Sequence, residues 1–341
     1  MTTSVRLLWD MVDGPMPRGL LGVGSGDLTS TDTEHVLYLG GFSTTFRNRF
    51  YRATAPRGAD LASAGWTVDV DARGRARPLV ADPPRGAWDR GGMHTPSYLP
   101  AGDGTPARIY YAGRRGRRHV GAGSSYAIGV LEHSGGTWRR RSRPVLTGSG
   151  YRSSVLEPLV VRAGERHHLW YLATPHEVAP GEQPDYQLMS TSSEDGLTGW
   201  TAPEVFCTAA EGFFDNAVIR TGAGWLMVLA RGTNLHGTTP YPEQGLWVMT
   251  ASEPSVHRAD WGAPRRLLDT GAPGTPRWMG RGVCDPTLGF SDDGRLTVVL
   301  TGTADAPPWP RLLVSRLLYR RRLPPPAPFY LATGSVTLDL P

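Results

Sequence analysis

Residues 156–174 read LEPLVVRAGERHHLWYLAT, an apolar strand, a turn and a second, strongly β-prone strand that ends in small residues. Four other stretches repeat this pattern, which predicts two antiparallel strands joined by a hairpin. These stretches are GDLTSTDTEHVLYLGG from Gly26, HTPSYLPAGDGTPARIYYAG from His94, FDNAVIRTGAGWLMVLARG from Phe214 and CDPTLGFSDDGRLTVVLTGT from Cys284. The chain therefore contains five copies of one supersecondary unit.

After four of these units comes a third apolar strand, then a turn and a tryptophan that opens a fourth strand. The tryptophans are Trp66, Trp138, Trp200 and Trp261, separated by 72, 62 and 61 residues. Such a period holds four strands and exceeds the roughly 40–45 residues of a WD40 blade. The pattern predicts an all-β fold, a single five-bladed β-propeller with four-stranded antiparallel blades around a central channel.

The repeat also predicts the domain organisation. We expect one domain over residues 1–341, with blades near 20–80, 90–147, 153–207, 212–269 and 281–341. The terminal segments are expected to close the ring, because an open ring of sheets leaves unpaired strand edges. A pair of β-sandwiches or a solenoid is the alternative architecture.

Composition narrows the function. The net charge of +5 comes from arginines scattered along the 341 residues rather than gathered in one arm, which does not favour nucleic-acid binding. Cys207 and Cys284 lie in different units, so reduced thiols and a cytoplasmic location are expected rather than a disulfide framework. No leader pattern and no run of eighteen apolar residues is present, so neither secretion nor membrane spanning is indicated. We expect a monomer or weak dimer that binds a small molecule.

Acidic residues recur where the units begin. Asp27, Glu157, Asp215 and Asp285 stand 12 to 15 residues before the last large residue of the second strand of their units. The first strand of a propeller blade lines the channel, so these carboxylates are expected to meet on the axis at nearly one structural position. Carboxylates in such proximity repel, so one should keep its proton near neutral pH while another ionises. Turn capping is the alternative role at each single position.

GDLTSTDTEHVLYLGG, the turn STSSEDGLTGW and the acids at the strand starts resemble glycoside hydrolase family 43 and related arabinanases, β-xylosidases and fructan-cleaving enzymes. The resemblance implies that Asp27 is the general base, Glu157 the residue that tunes the acid, and Asp215 the general acid. The chain departs from the family pattern in two ways. Glu157 and Asp215 exchange the usual Asp and Glu, and two strand starts differ: blade one has GDL where the family commonly has Asp-Pro, and blade five has RGVCDPTL where many members place a histidine.

Further residues are candidates for substrate binding because they lie near strand starts or in the loops beside them: His94, Thr95, His176, Phe213, Phe214, Asn216, His236, Trp278, Arg281 and Asp285. The aromatic residues among them would stack on a sugar ring, and Arg281 would pair with Asp285 or an anionic group. The histidine spacings match no zinc motif, so no metal-ligand residues and no cofactor are predicted. A calcium or sodium ion in the channel is the one ion considered.

Three functions remain open. The first is a glycoside-hydrolase-like enzyme that cleaves a small furanoside or pentoside with inversion. The second is a propeller repurposed for acid–base chemistry on a natural-product intermediate, such as a cyclisation, elimination or hydrolysis in specialised metabolism, because fold does not fix function. The third is a non-catalytic carbohydrate-binding propeller.

Overall fold

The repeated units form five antiparallel sheets in a ring, which confirms the predicted all-β, five-bladed propeller. The structure is a computed structural model. It describes residues 4–12, 14–45, 47–61, 65–102, 104–116, 122–152, 154–182, 184–231, 243–291, 294–305, 308–318 and 329–338.

Each blade runs outward from an inner strand on the channel. Blade one comprises β2 (Leu20–Ser30), β3 (Glu34–Ser43), β4 (Asn48–Pro56) and β5 (Thr67–Val68). Blade two comprises β6 (Gly92–Leu99), β7 (Arg108–Arg114), β8 (Tyr126–Ser134), β9 (Thr137–Arg140) and β10 (Leu146–Thr147), with β9 and β10 both paired to β8. Blade three comprises β11 (Val155–Ala163), β12 (Arg166–Ala173), β13 (Gln187–Ser193) and β14 (Glu204–Cys207).

The last two blades have the same order. Blade four comprises β15 (Phe213–Thr221), β16 (Gly224–Arg231), β17 (Gly245–Ala251) and β18 (Arg265–Asp269). Blade five comprises β19 (Val283–Phe290), β20 (Leu296–Asp305), β21 (Phe329–Leu338) and, as its outer strand, the N-terminal β1 (Ser4–Asp10). Blade five is thus built from both ends of the described chain.

In the described part of the chain, helical structure lies in the connections between strands. The helix α1 (Trp309–Leu318) lies between β20 and β21, and short 3-10 turns occur at Ala209–Glu211, Arg258–Asp260 and Arg277–Met279. Among the described residues, no helix has the length and apolar character needed to cross a membrane.

The buried apolar side chains of the described residues form five clusters, one at each joint between neighbouring blades. Alternate side chains of a middle strand face opposite neighbours, as the two-residue period of a strand requires. On β12, Trp170 and Leu172 pack towards blade four, whereas Leu169 and Tyr171 pack towards blade two. Every middle strand is therefore buried on both faces, which explains its long apolar run.

A β-bulge interrupts each inner strand near its start, because the register with the second strand shifts there. In four blades the bulge holds a residue other than glycine with positive φ: Ser25 (49°), Thr95 (49°), Glu157 (52°) and Asp285 (48°). Such a backbone is uncommon for these residues and unusual for the β-branched Thr95. Strain of this kind is concentrated at functional sites, which directs attention to the bulges.

Hydrogen bonds from side chain to backbone join the inner strands. Thr287 Oγ1 accepts from Leu28 N at 2.7 Å, and Ser97 Oγ accepts from Val160 N at 2.9 Å. In both cases the acceptor is the second residue after the positive-φ residue of its own blade. The donor is the third residue after the positive-φ residue of the next blade. The Asp27 carboxylate, which accepts from Tyr98 N, occupies the same position between blades one and two.

Candidate active site

The inner strands of all five blades line a small cavity on the channel axis. Its volume is about 40 Å³, and four of its walls carry acids: Asp27, Glu157, Asp215 and Asp285. The structure thus brings together the four carboxylates that are distant along the chain.

The four acids do not share one structural position, which corrects the expected alignment. Glu157 and Asp285 are the positive-φ bulge residues, whereas Asp27 stands two residues beyond the bulge residue Ser25. Asp27 also lines a second cavity of about 340 Å³ that continues along the inner strands to Phe290. Blade one carries its acid two residues beyond the bulge residue, a difference that the sequence pattern does not reveal, so Asp27 lies further along its inner strand than Glu157 and Asp285 do along theirs.

Asp215, Glu157 and Asp285 form a cluster that we call the acid cluster. The backbone N–H of Asp285 donates to Asp215 Oδ2 at 3.0 Å, and Ser25 Oγ donates to Asp285 Oδ2 at 2.8 Å. Burial raises the pKa of Asp215 well above its usual range, and the charge of Asp285 raises it further. Burial and then the charges of Asp285 and Asp215 raise the pKa of Glu157 in the same direction. The cluster therefore retains protons at neutral pH.

Asp215 has one oxygen available for chemistry. The residue is 5% exposed, and among the described residues its Oδ1 has no hydrogen-bond partner. The neighbouring Asn216 is also buried, and its side-chain Nδ2 likewise lacks a partner in the described part of the chain. Buried polar atoms are normally satisfied, so both atoms are suited to meet a ligand group in the cavity.

Asp27 has different surroundings from the acid cluster. Burial raises the pKa of Asp27 from 3.8 to about 7, and the hydrogen bonds from Tyr98 N, Thr287 Oγ1 and Leu28 N oppose that rise. The Thr287 hydroxyl donates to Asp27 Oδ1 at 3.0 Å. A carboxyl group with this pKa changes charge near neutral pH, as a general base at that pH requires.

An aromatic wall borders the acid cluster on the side of blades two to four. Tyr186 meets Phe214 edge to face, with ring centroids 5.5 Å apart. Burial and then the charge of Glu157 raise the pKa of Tyr186, which places this phenol beside the carboxylate. Phe214 was predicted from its place beside Asp215, whereas Tyr186 lies in the loop between β12 and β13 of blade three, where the sequence has no repeat signal.

His94 lies at the start of β6 with both ring nitrogens engaged. Arg114 Nε donates to Nε2 at 3.1 Å, and the side-chain amide of Asn48 lies 2.7 Å from Nδ1. Arginine is always a donor, so Nε2 must accept and is not available to a metal ion. His94 therefore acts in this structure as a fixed element of the wall rather than as a metal ligand.

The structure places the other predicted substrate-binding residues in varied surroundings. Thr95 is buried in the channel lining. His176 is exposed and pairs with Glu182 at 2.7 Å, so it does not contact the acid cluster. Arg281 is half-buried and pairs with Asp305 at 3.5 Å, instead of the expected Asp285. His236 lies outside the described residues.

Two predicted stacking residues belong to the core. Trp278 is 8% exposed and lies in the cluster between blades four and five, directly against Gly302 and Gly334. Phe213 is 3% exposed and packs between blades three and four. Neither buried ring offers a face to a sugar, because both fill inter-blade space.

One group of side chains has the proximity of a metal site. Ligand atoms of Asp215, Cys284 and Asp285 lie within 4.8 Å of one another. Burial raises the pKa of the Cys284 thiol well above its usual range, so the thiol stays protonated and is a poor ligand. The two carboxylates suit a hard cation such as calcium and would hold it through oxygen, where it would neutralise their charge. The channel calcium or sodium ion stays a prediction.

Known proteins resemble this chain in fold rather than in sequence. No protein-family model matches the sequence. No curated protein sequence matches it either. The fold is that of five-bladed glycoside hydrolases.

Three solved structures illustrate the likeness. A family 117 glycoside hydrolase from the marine bacterium Zobellia galactanivorans superimposes with a TM-score of 0.62 at 11% identity, covering 99% of this chain and 90% of that one. A thermostable family 43 glycoside hydrolase gives 0.57 at 13% identity, with 94% and 93% coverage. The catalytic domain of the Coprinopsis cinerea family 62 α-L-arabinofuranosidase gives 0.55 at 12%, with 98% of both chains covered. At such identities the likeness shows the fold.

Proposed function

We propose that the protein is a glycoside-hydrolase-like enzyme that cleaves a small furanoside or pentoside by carboxylate acid–base catalysis in the channel. The observation that carries this proposal is the convergence of four carboxyl groups, from four blades, on one cavity of about 40 Å³. Three of them form the proton-retaining acid cluster, and the fourth titrates near neutral pH. Two carboxyl groups with unlike surroundings are what general acid–base hydrolysis needs.

The surroundings of each group support its role. Asp215 is the general acid, because its raised pKa keeps the proton in place and its unpartnered Oδ1 can reach a leaving oxygen. Asp27 is the general base that activates water, since its pKa of about 7 leaves a substantial ionised fraction at neutral pH. Glu157 is assigned the tuning role as the third carboxyl group of the acid cluster, where the charges of Asp285 and Asp215 raise its own pKa, and Asp285 orients Asp215 through its backbone N–H.

The stereochemical course follows from the assignment of acid and base. Inversion requires water between Asp27 and the sugar, with carboxyl groups roughly 6.5–9.5 Å apart. The first product released would then have the opposite anomeric configuration to the substrate. Proton NMR during early turnover measures this configuration, and a product of unchanged configuration would rule out the assigned roles.

The test of the function is a panel of nitrophenyl furanosides and pyranosides assayed with the wild type, Asp215→Asn and Asp32→Asn. Asp32 lies in the exposed turn between β2 and β3 and serves as the matched control. Loss of a general acid typically costs 10²–10⁴-fold in rate, so Asp215→Asn should lose about that much while the control retains activity. A folded wild type that turns over no member of the panel contradicts the proposal.

A second candidate is acid–base chemistry on a substrate other than a sugar. The observation that favours it is that Asp27 also has a structural role. Both of its carboxylate oxygens accept hydrogen bonds at the joint between two blades, in the position that Ser97 and Thr287 occupy at other joints. A carboxylate fixed in this way could serve structure alone, leaving the acid cluster to move protons. Activity that survives Asp27→Asn but not Asp215→Asn would favour this candidate. Ligand binding that survives both would favour a non-catalytic sugar-binding propeller.

A further inference from the structure

A separate pocket of about 220 Å³ opens beside the acid cluster, between blades two and three. We call it the side pocket. Its walls come from the loop after β7, the segment before β11 and the loop after β12. These segments adjoin the strand end at which the channel acids lie, since β11 begins two residues before Glu157.

Tyr186 connects the side pocket to the acid cluster. Its side chain lines the pocket, contacts Phe214 edge to face and lies close enough to Glu157 for the carboxylate charge to raise the pKa of the phenol. Ser154, also in the pocket wall, accepts a hydrogen bond from Tyr126 N at 3.1 Å, which fixes the wall to blade two. Tyr186 therefore lies between Glu157 and the side pocket, and a ligand that spans both sites would contact its ring.

The lining has the chemistry of a sugar-binding site. Hydroxyl groups of Ser124, Ser154 and Thr174 and the carboxylate of Glu177 supply hydrogen-bonding groups, and Tyr151 and Tyr186 supply aromatic rings. The volume is below the roughly 300–1,000 Å³ of pockets for drug-sized ligands, so it suits one ring rather than an extended chain. Polar groups around a small aromatic-walled pocket favour a neutral, hydroxyl-rich ring.

Tyr151 is prepared for such a contact. It is 48% exposed, unusual for a large side chain in this protein, and the Arg152 guanidinium stacks 5.2 Å from its ring centroid. The cation–π contact holds the ring in place and lowers the entropic cost of binding. Exposed aromatic groups held rigid in this way commonly serve as binding anchors.

We infer that the side pocket binds a second sugar or polyol unit, attached to the unit that is cleaved in the channel. This inference rests on the proposed function and makes the substrate a disaccharide-like glycoside rather than a single sugar with a small aglycone. Tyr151 stacks on the second ring, and Glu177 with the pocket hydroxyls binds its hydroxyl groups.

The kinetic test compares two substrates with the same glycosyl unit: a pentose disaccharide and the glycosyl fluoride, whose leaving group is one atom. The fluoride fills the channel alone, so Tyr151→Ala and Glu177→Gln should lower kcat/KM for the disaccharide relative to the fluoride, by roughly tenfold for Tyr151→Ala. Val205→Ala, an exposed apolar position on β14, is the control and should leave the ratio unchanged. Equal losses on both substrates, or none, would overturn the inference.

A binding measurement separates this inference from the proposed function. Saturation-transfer NMR with pentose disaccharides and methyl pentosides on the Asp215→Asn protein reports contact without turnover. Signals from the second ring that disappear in Tyr151→Ala but persist in Val205→Ala support the side pocket even if the wild type hydrolyses nothing. No saccharide signal at millimolar concentration, or signals indifferent to Tyr151, would overturn the inference while leaving the hydrolase panel to decide the activity.

Discussion

At the scale of single residues, Asp27 differs from the other channel acids in having its hydrogen bonds supplied by two neighbouring blades. Tyr98 N reaches it from blade two and the Thr287 hydroxyl from blade five. These donors favour the charged form, whereas burial favours the neutral form, and the balance gives a pKa of about 7. The pH at which this carboxyl ionises therefore depends on burial and on donors in two other blades.

This balance can be altered at Thr287. Thr287→Val removes the hydroxyl that donates to Asp27, so the pKa of Asp27 should rise further, and the acidic limb of the pH profile of kcat/KM should move up by about one pH unit. Thr287→Ser retains the hydroxyl and should retain the profile, which separates the electrostatic effect from packing. An unmoved limb in Thr287→Val would show that Asp27 ionisation does not control the rate.

The sequence is sufficient to identify the acids but not their depths in the channel. Glu157, Asp285 and Thr95 each precede proline at a strand start, so their equivalence can be read from the sequence. Asp27 follows Ser25 and Gly26 without such a mark, so its two-residue offset required the register of β2 and β3. Trp278 illustrates the opposite error. It lies near Asp285 in the sequence and was expected to bind substrate, but its ring packs in the core against Gly302 and Gly334.

At the scale of secondary structure, the β-bulge of the inner strand places the side chains that form the site. It aims Glu157 and Asp285 at the axis, and it sets the two-residue and three-residue spacing that joins neighbouring inner strands. The five repeats, the blade number and the antiparallel pairing could be predicted because apolar periodicity determines them. The hydrogen bonds that join neighbouring inner strands could not be predicted, because in the sequence the serine and threonine that make them resemble ordinary solvent-facing residues of a strand.

One joint offers a direct measurement of its contribution. Ser97→Ala leaves the buried N–H of Val160 without an acceptor, and an unsatisfied buried donor costs about 1–3 kcal/mol. We expect the free energy of unfolding in urea to fall by that amount. Ser134→Ala, at an exposed position on β8, should change it by less than about 0.5 kcal/mol. Equal effects of the two substitutions would mean that the joint does not depend on this hydrogen bond.

At the scale of the whole molecule, the channel acids make stability depend on pH in an unusual direction. The pKa of Asp27 is 3.8 as an ordinary side chain and about 7 in the folded protein, so between these values the folded state binds more protons than the unfolded state. Stability contributed at this position is therefore present at low pH and is lost as pH rises through 7. Asp215 and Glu157 act in the same direction.

The variant Asp27→Asn isolates this effect, because the amide cannot ionise and still offers an oxygen to Tyr98 N. Between pH 4 and pH 7.5, the wild type should lose about 4 kcal/mol of unfolding free energy relative to the variant, at about 1.4 kcal/mol for each unit of pKa shift. Urea titrations of both proteins at several pH values give the comparison. A wild type that gains stability relative to the variant as pH rises would contradict the assigned burial.

The outer position of β1 in blade five, where Ser4 faces Thr337, has a consequence for biosynthesis. Blades one to four can assemble in order as the nascent chain leaves the ribosome, whereas β1 must wait for β21. Until β21 emerges, Trp9, which is buried in the finished protein, has no complete sheet to cover it. Blade five consequently forms last during folding. A translation product that ends before β21 would leave β1 without its partner strand and Trp9 uncovered, and would be prone to aggregate.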